Sequence, residues 1–332
     1  MRRARIKAEG EAYYHVMSRC ALQERLLTDN VKTMFMRMLR RAERFSGVRV
    51  LDYCIMDNHF HLLVKVPKRQ TVPSEELDRR IVILYGEVKA KKIQAHWKLL
   101  RDAGNDAVVD RERAAMCRRM YDISEFMKTF KQRFTLWYCS NCGGLEGTIW
   151  QGPFHSVLVE GSHDALTSIS TYIALNPVRA GLVKDPGEYA WSGYGAACGG
   201  DDETRAALLS LITGKRPLSQ KWNAYRLMIE TAAANLARIR QAETTRNEAG
   251  EKSPCPAKTP SKAADRAEPT AKAVGPAVRD RDVSRGIAFG SERFVGEAIA
   301  NASRPGAIRT YPRKFCSSDG HVALYCAGRH RA

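Results

Sequence analysis

Two apolar runs, Val48 to Met56 and Phe60 to Val66, are separated only by Asp57-Asn58 and His59. Both are rich in the β-branched and aromatic residues that favour strands, and the Asp-Asn pair suits a tight turn. A hairpin commits the chain to antiparallel pairing, and the flanking elements must be arranged around it. Upstream, Ala12 to Cys20 reads as a strand. A helix is predicted from Val31 to Ser46, where Phe35, Met38, Leu39, Ala42 and Phe45 recur at helical spacing. Asp29 or Asn30 can cap it and Gly47 ends it. Downstream, a helix from about Asp122 to Tyr138 would bury Ile123, Phe126, Met127, Phe130, Phe134 and Trp137. Thr148 to Val159 suggests a strand or hairpin. A last helix runs from Ser162 to about Leu175, where Pro177 blocks its continuation. The order strand, helix, strand, strand, helix, strand, helix points to an α+β class, an antiparallel sheet with helices on one face.

Outside this pattern the chain divides by composition. Residues 1–195 hold the patterned block, with a charged, helical insertion at about 70–120. A helical extension is expected over 196–241. Residues 242–285 turn to Ala, Pro, Lys, Glu and Thr with almost no aromatics, so they cannot bury enough apolar area to offset ordering and are expected to be a disordered linker. Residues 286–332 carry a short tail element with a basic end, in which Ser291 can cap a helix.

Lys plus Arg number 54 against 36 Asp plus Glu, a net charge of +18, and a chain this basic suits a polyanion such as nucleic acid. No stretch approaches the roughly 18 apolar residues that span a bilayer, and no signal core follows the basic N-terminus, so a cytoplasmic location is expected. The nine cysteines form no disulfide framework. Cys139 and Cys142 make one CxxC pair without a second to complete a zinc site.

Chemistry concentrates in two places. In His59-Phe60-His61, alternation along a strand puts both imidazoles on one face and Phe60 on the other. The pattern alone fits half of a metal site and equally two surface histidines flanking a core phenylalanine. In Tyr172-Ile173-Ala174-Leu175-Asn176, the four-residue spacing puts the phenol and the carboxamide on one helical face. Taken alone, that pair reads as an edge tyrosine and a helix-stopping asparagine, although a phenol and a carboxamide so placed could serve as nucleophile and third metal ligand.

Five stretches stand in order: Tyr14-His15-Val16-Met17-Ser18-Arg19, Tyr53 to Val64 around the histidines, Gly147-Thr148-Ile149-Trp150-Gln151-Gly152-Pro153-Phe154-His155, Tyr172 to Val183 including Asn176-Pro177-Val178-Arg179-Ala180-Gly181, and Tyr189-Ala190-Trp191-Ser192. Together they resemble the single-tyrosine transposases of the IS200/IS605 type, most closely the REP-associated tyrosine transposases. The resemblance implies a ferredoxin-like catalytic domain of the HUH class. It implies His59, His61 and Asn176 as ligands of Mg²⁺ or Mn²⁺, and Tyr172 as the nucleophile. Many relatives carry glutamine where Asn176 stands, and the element between Val66 and Asp122 exceeds the minimal domain.

The activity implied is cleavage and rejoining of single-stranded, hairpin-bearing DNA through a 5′-phosphotyrosine; the alternative is a DNA-binding regulator of the same descent without catalysis. Expected DNA contacts are Arg3 and Arg5 on an N-terminal arm, Arg19 after the first strand, Lys128, Lys131 and Arg133 on the helix before Trp137, and Arg179. Trp150 or Phe154 is a candidate to stack on an unpaired base. The opposing readings are solvated lysines and core aromatics. The chain would act as a monomer or a homodimer.

Overall fold

The computed structural model describes residues 6, 10–21, 24–143, 147–248, 286–300, 313–316 and 323–328. Strand β1 (Ala12–Arg19) is followed by α1 (Asp29–Ser46), then β2 (Arg49–Ile55) and β3 (His59–Val66). Three helices come next, α2 (Ser74–Tyr85), α3 (Glu87–Asp102) and α4 (Asp106–Arg118), before α5 (Ile123–Asn141) and β4 (His155–Val159). These four strands lie in the order β2-β3-β1-β4 with every neighbour antiparallel. That order, with a helix after β1 and another before β4, is the ferredoxin-like arrangement expected.

Alternation along the strands separates two cores. Tyr14, Val16, Phe60, Leu62 and Val64 pack with Phe35 and Leu39 of α1 and with Phe126, Phe130 and Phe134 of α5. Both connecting helices therefore share one face. Rings of Phe35, Phe60 and Phe130 meet edge to face at 4.7–6.1 Å, which locks β3 from behind. The opposite face is covered by the helices that come after β4 in the chain: α6 (His163–Ala174), α7 (Asn176–Arg179), α8 (Gly193–Cys198), α9 (Asp202–Leu209) and the long α10 (Leu218–Glu248). Here Leu63, Val157 and Val159 meet Ile169, Ile173, Tyr225 and Ile229. The insertion α2–α4 closes a small core of its own around Leu77, Ile81, Leu84, Trp97 and Val109, resting on Phe45 of α1.

Local chemistry explains most boundaries. Gly47 ends α1 in a left-handed conformation (φ 72°) with its N–H on the Glu43 carbonyl. At the other end the N-cap is Thr28, not Asp29 or Asn30; Asp29 lies in the first turn, paired with Lys32 at 3.3 Å. Asp122 caps α5 by accepting from the Ser124 and Glu125 amides. Within Thr148 to Val159 the strand covers only His155–Val159. Pro177 interrupts the sixth helix at Leu175 but does not end the helical path. It sits in the first turn of α7, where an amide hydrogen has no helical partner to lose.

The long helix α10 runs on to Glu248, past the boundary expected at 242. The rest of the predicted linker lies outside the described residues. The tail contributes β5 (Gly286–Gly290), parallel to β4, then α11 (Glu292–Ala300), β6 (Arg313–Cys316) and β7 (Ala323–Gly328). These extend the sheet to seven strands in the order β2-β3-β1-β4-β5-β7-β6. Ser291 receives the Phe294 amide, and Val295 and Ala298 of α11 join the first core. Among the described residues no helix is long and apolar enough to cross a membrane.

Candidate active site

Because β3 is pinned from behind by Phe60, His59 and His61 point to the face covered by α6. On that face β1 brings Arg19 opposite His59 and Met17 opposite His61, and His15 lies one alternate position further along. His61 has no exposed surface, and His15 has 1%. Nδ1 of His61 lies 2.9 Å from Nε2 of His15. Their ring planes differ by 2° with centroids 5.1 Å apart, so the contact is edge to edge. His59 is half-buried, and its Nδ1 lies 2.7 Å from Oδ1 of Asn58. Burial pushes the His61 imidazole well below its ordinary pKa, and the nearby His15, His59, Arg19 and Arg179 act in the same direction. The ring is therefore neutral. Its second nitrogen, Nε2, is buried with no hydrogen-bond partner.

Helix α6 crosses above these rings. Tyr172, 1% exposed, has its ring centroid 5.6 Å from that of His61 and 5.7 Å from that of His15, each edge-on at 82°. Two side chains from the next turn close on its backbone. Asn176 Nδ2 donates to the Tyr172 carbonyl at 2.9 Å, and Arg179 Nη1 donates to the same oxygen at 3.0 Å. The Arg179 guanidinium also lies over the Tyr172 ring, 4.7 Å from its centroid. Asn176 thus spends its amide nitrogen on the end of α6, which leaves its carbonyl oxygen as the atom able to serve a cation.

The helix is held from both sides. Two residues before Tyr172, Ser170 Oγ donates to Asp52 Oδ2 of β2 at 2.5 Å and shares a 2.6 Å bond with the Tyr225 hydroxyl of α10. Asp52 is fully buried, and burial pushes its carboxyl up to about 7, against the Ser170 hydroxyl and Tyr53 amide that favour the ionised form. Arg240 of α10 donates to the Val178 carbonyl at 2.9 Å. The turn before His59 is braced as well. Lys32, 4% exposed, reaches Asp57 at 2.7 Å, and the Tyr189 hydroxyl donates to the Ile55 carbonyl at 2.8 Å. These contacts give the Tyr189-Ala190-Trp191-Ser192 stretch a concrete part: it supports the histidine hairpin.

The proposed DNA contacts are dispersed. Arg3 and Arg5 lie outside the described residues. Arg19 is half-buried beside His59, and Lys128 is exposed with Glu125 at 3.7 Å. Two expectations need correction. Lys131 turns inward, donating to Ser18 Oγ at 2.9 Å and the Gly152 carbonyl at 2.8 Å, and burial depresses its amine to about 8. Trp150 is 4% exposed, with its indole N–H on Thr135 Oγ1 and its ring against Phe60 and Phe134. It is core, and no face is left for a base. Both residues instead fasten the 147–155 loop to β1 and α5. Arg133 lies over the Tyr85 ring at 5.1 Å, tying α5 to the insertion. Phe154 packs against the first core.

Sequence reasoning missed His15, Asn58 and Lys32 as parts of the site. His15 was detectable: it shares the period-two face of Arg19 on the strand next to the histidines. Among the described residues no group of three or more His, Cys, Asp or Glu is arranged to hold a metal ion. A cation held by His59 and His61 would therefore need a further ligand of another type, for which the Asn176 oxygen is the candidate. The donor set fits one: a neutral, partnerless imidazole nitrogen and a carboxamide oxygen are groups a divalent cation of intermediate softness accepts.

Residues 9–97 match the family model for IS200-like transposases. No curated protein matches the chain. Among solved structures, the chain is similar to a REP-associated tyrosine transposase whose structure is described as bound to a REP hairpin, with 17% identity, a TM-score of 0.38, and 65% of this chain and 91% of that one covered. It is also similar to a candidate transposase from Deinococcus radiodurans R1, with 13% identity, a TM-score of 0.24, and 55% and 92% covered.

Proposed function

Taking the IS200-like character of residues 9–97 as the premise, we propose that the chain cleaves and rejoins single-stranded, hairpin-bearing DNA through a covalent link to Tyr172. The observation that carries this reading is the approach of the Tyr172 ring to within 5.6 Å of the His61 ring, across 111 residues of sequence (172 less 61). The phenol oxygen attacks a backbone phosphorus, forming the Tyr172–phosphate ester as the bond to the 3′ oxygen breaks. The phenol proton is lost and the departing oxygen takes one up, giving a 5′-phosphotyrosine and a free 3′-hydroxyl. A 3′-hydroxyl reverses the step, since the ester conserves the phosphodiester bond energy, and no nucleotide cofactor is consumed.

His59, His61 and the Asn176 oxygen would hold Mg²⁺ or Mn²⁺, which supplies Lewis-acid polarisation of the phosphate when bound. The chain's own residues do the rest. Arg179, stacked on the Tyr172 ring, brings fixed positive charge to where the phenol ionises and phosphate charge gathers. The ties from Ser170 to Asp52 and Tyr225 hold the nucleophile's helix against the sheet, which fixes the attack distance. Arg19 and Lys128 would meet the DNA backbone, adding affinity without sequence information.

The test is capture of end-labelled hairpin DNA with a single-stranded flank, in Mn²⁺. The wild-type chain should yield a denaturation-resistant adduct, and Tyr172→Phe should yield none while still shifting the DNA on a native gel. An adduct that survives in Tyr172→Phe removes the phenol from its role. A wild-type chain that shifts the DNA yet never forms an adduct is a binding protein and not a strand transferase.

A further inference from the structure

His15 takes no part in the steps above, yet it is buried beside the nucleophile and hydrogen-bonded to a proposed ligand. We propose that His15 is a positioning residue: it holds His61 in the tautomer with the proton on Nδ1, so that Nε2 offers its lone pair to a divalent cation. The inference deepens the metal reading and rests on it.

A neutral imidazole carries one proton, and whichever nitrogen holds it cannot bind a cation. The His61–His15 contact, at 2.9 Å between Nδ1 and Nε2 with the rings coplanar within 2°, is an in-plane N–H···N bond. One nitrogen donates and the other accepts. If His15 donated, His61 would carry its proton on Nε2, a buried donor facing no acceptor. If His61 donates, Nε2 keeps a lone pair that a cation can take, with the Tyr172 and His59 rings 5.6 and 5.1 Å from the His61 ring.

The neighbouring histidine is arranged the same way. Nδ1 of His59 lies 2.7 Å from Asn58 Oδ1, a carbonyl oxygen that only accepts, so the proton is on Nδ1 and the lone pair on Nε2. Both imidazoles are thus engaged through Nδ1, and both would offer the equivalent nitrogen. Hydrogen bonds to the far nitrogen of a ligating histidine fix its tautomer and orientation, and their loss weakens metal binding. His15 is well placed for the task because the pairing of β1 with β3 sets its position. Its Cα faces Leu63, two positions along the ladder from the Met17–His61 pair, so its location does not depend on α6.

The experiment uses the full chain with ¹⁵N-labelled histidine. Long-range ¹H–¹⁵N spectra of the metal-free protein report the His61 tautomer, with the signal assigned by His61→Asn. Mn²⁺ titration followed by electron paramagnetic resonance reports affinity. The Nδ1–H tautomer is expected in the wild type and in His15→Gln, whose amide oxygen still accepts. In His15→Phe the tautomer should change, and Mn²⁺ should bind about 10- to 100-fold more weakly, with affinity restored in His15→Gln. An Nε2–H tautomer in the metal-free wild type overturns the inference, and needs no variant to be seen if His15→Phe fails to fold. Unchanged Mn²⁺ affinity in a folded His15→Phe overturns it too. If the wild type binds no Mn²⁺ while His61 shows the Nδ1–H tautomer, the metal reading has failed and the tautomer assignment has not, which separates the two.

Discussion

Replacing Asp52 with asparagine tests what holds the nucleophile's helix. The carboxyl is buried between β2, α6 and α10, with Ser170 and the Tyr53 amide as partners. Burial raises it from an ordinary value near 3.8 to about 7. The folded chain therefore keeps the proton over a range where the unfolded chain has released it. Stability from this group is full below about pH 4, falls as pH rises through the interval, and levels off above about pH 7. About three pKa units at 1.36 kcal/mol each amount to about 4 kcal/mol. In Asp52→Asn the oxygen can accept from Tyr53, and the amide donates to Ser170, which then turns the proton it gives Asp52 in the wild type toward Tyr225, and nothing titrates. Urea unfolding of both proteins from pH 4 to pH 8.5 should show the difference moving in favour of the variant by about 4 kcal/mol across that range. Subtraction removes the titrations the two proteins share. Parallel curves would mean that Asp52 is not a buried neutral acid, and the account of the clamp on α6 would fall.

Phe60→Ala should destabilise the chain by about 3–5 kcal/mol in urea unfolding, because the ring fills the aromatic cluster directly behind the histidines. Binding to hairpin DNA, measured against salt, should separate the basic residues. Arg19→Ala and Lys128→Ala should each lower the slope of log affinity on log salt by roughly 1. Lys131→Met should leave the slope unchanged and lower the melting temperature instead, since its ammonium ties β1 to the 147–155 loop; a reduced slope would return Lys131 to the DNA-binding surface. Gly193→Ala should cost about 1–3 kcal/mol through overpacking, because a Cβ there would collide with Asp52 Oδ1; an unchanged midpoint in urea would show that β2 and α8 have room to separate.

Much of the arrangement was legible because it is written in short periods. Period two along Phe60, Leu62 and Val64 fixes which face His59 and His61 take, and period three to four along Phe126, Phe130 and Phe134 identifies the helix behind them. The spacing from Tyr172 to Asn176 brings the carboxamide nitrogen back onto the Tyr172 carbonyl at the end of the helix. What failed were judgements about single polar or aromatic side chains. Lys131 reads as a DNA contact on a helix face, and only the approach of Ser18 and Gly152 turns it inward. Trp150 reads as a stacking platform until Phe60, Phe134 and Thr135 close around it.

The order of elements and the face of the paired imidazoles come from the sequence by itself, because backbone geometry repeats every two or 3.6 residues whatever the surroundings. Only the tertiary structure decides that His15 meets His61 edge to edge, that burial raises the Asp52 carboxyl to about 7, and that α10 fastens the helix carrying Tyr172. Those outcomes depend on burial and on partners dozens of residues away, and no local repeat encodes the distance between two segments that meet only after the sheet has formed.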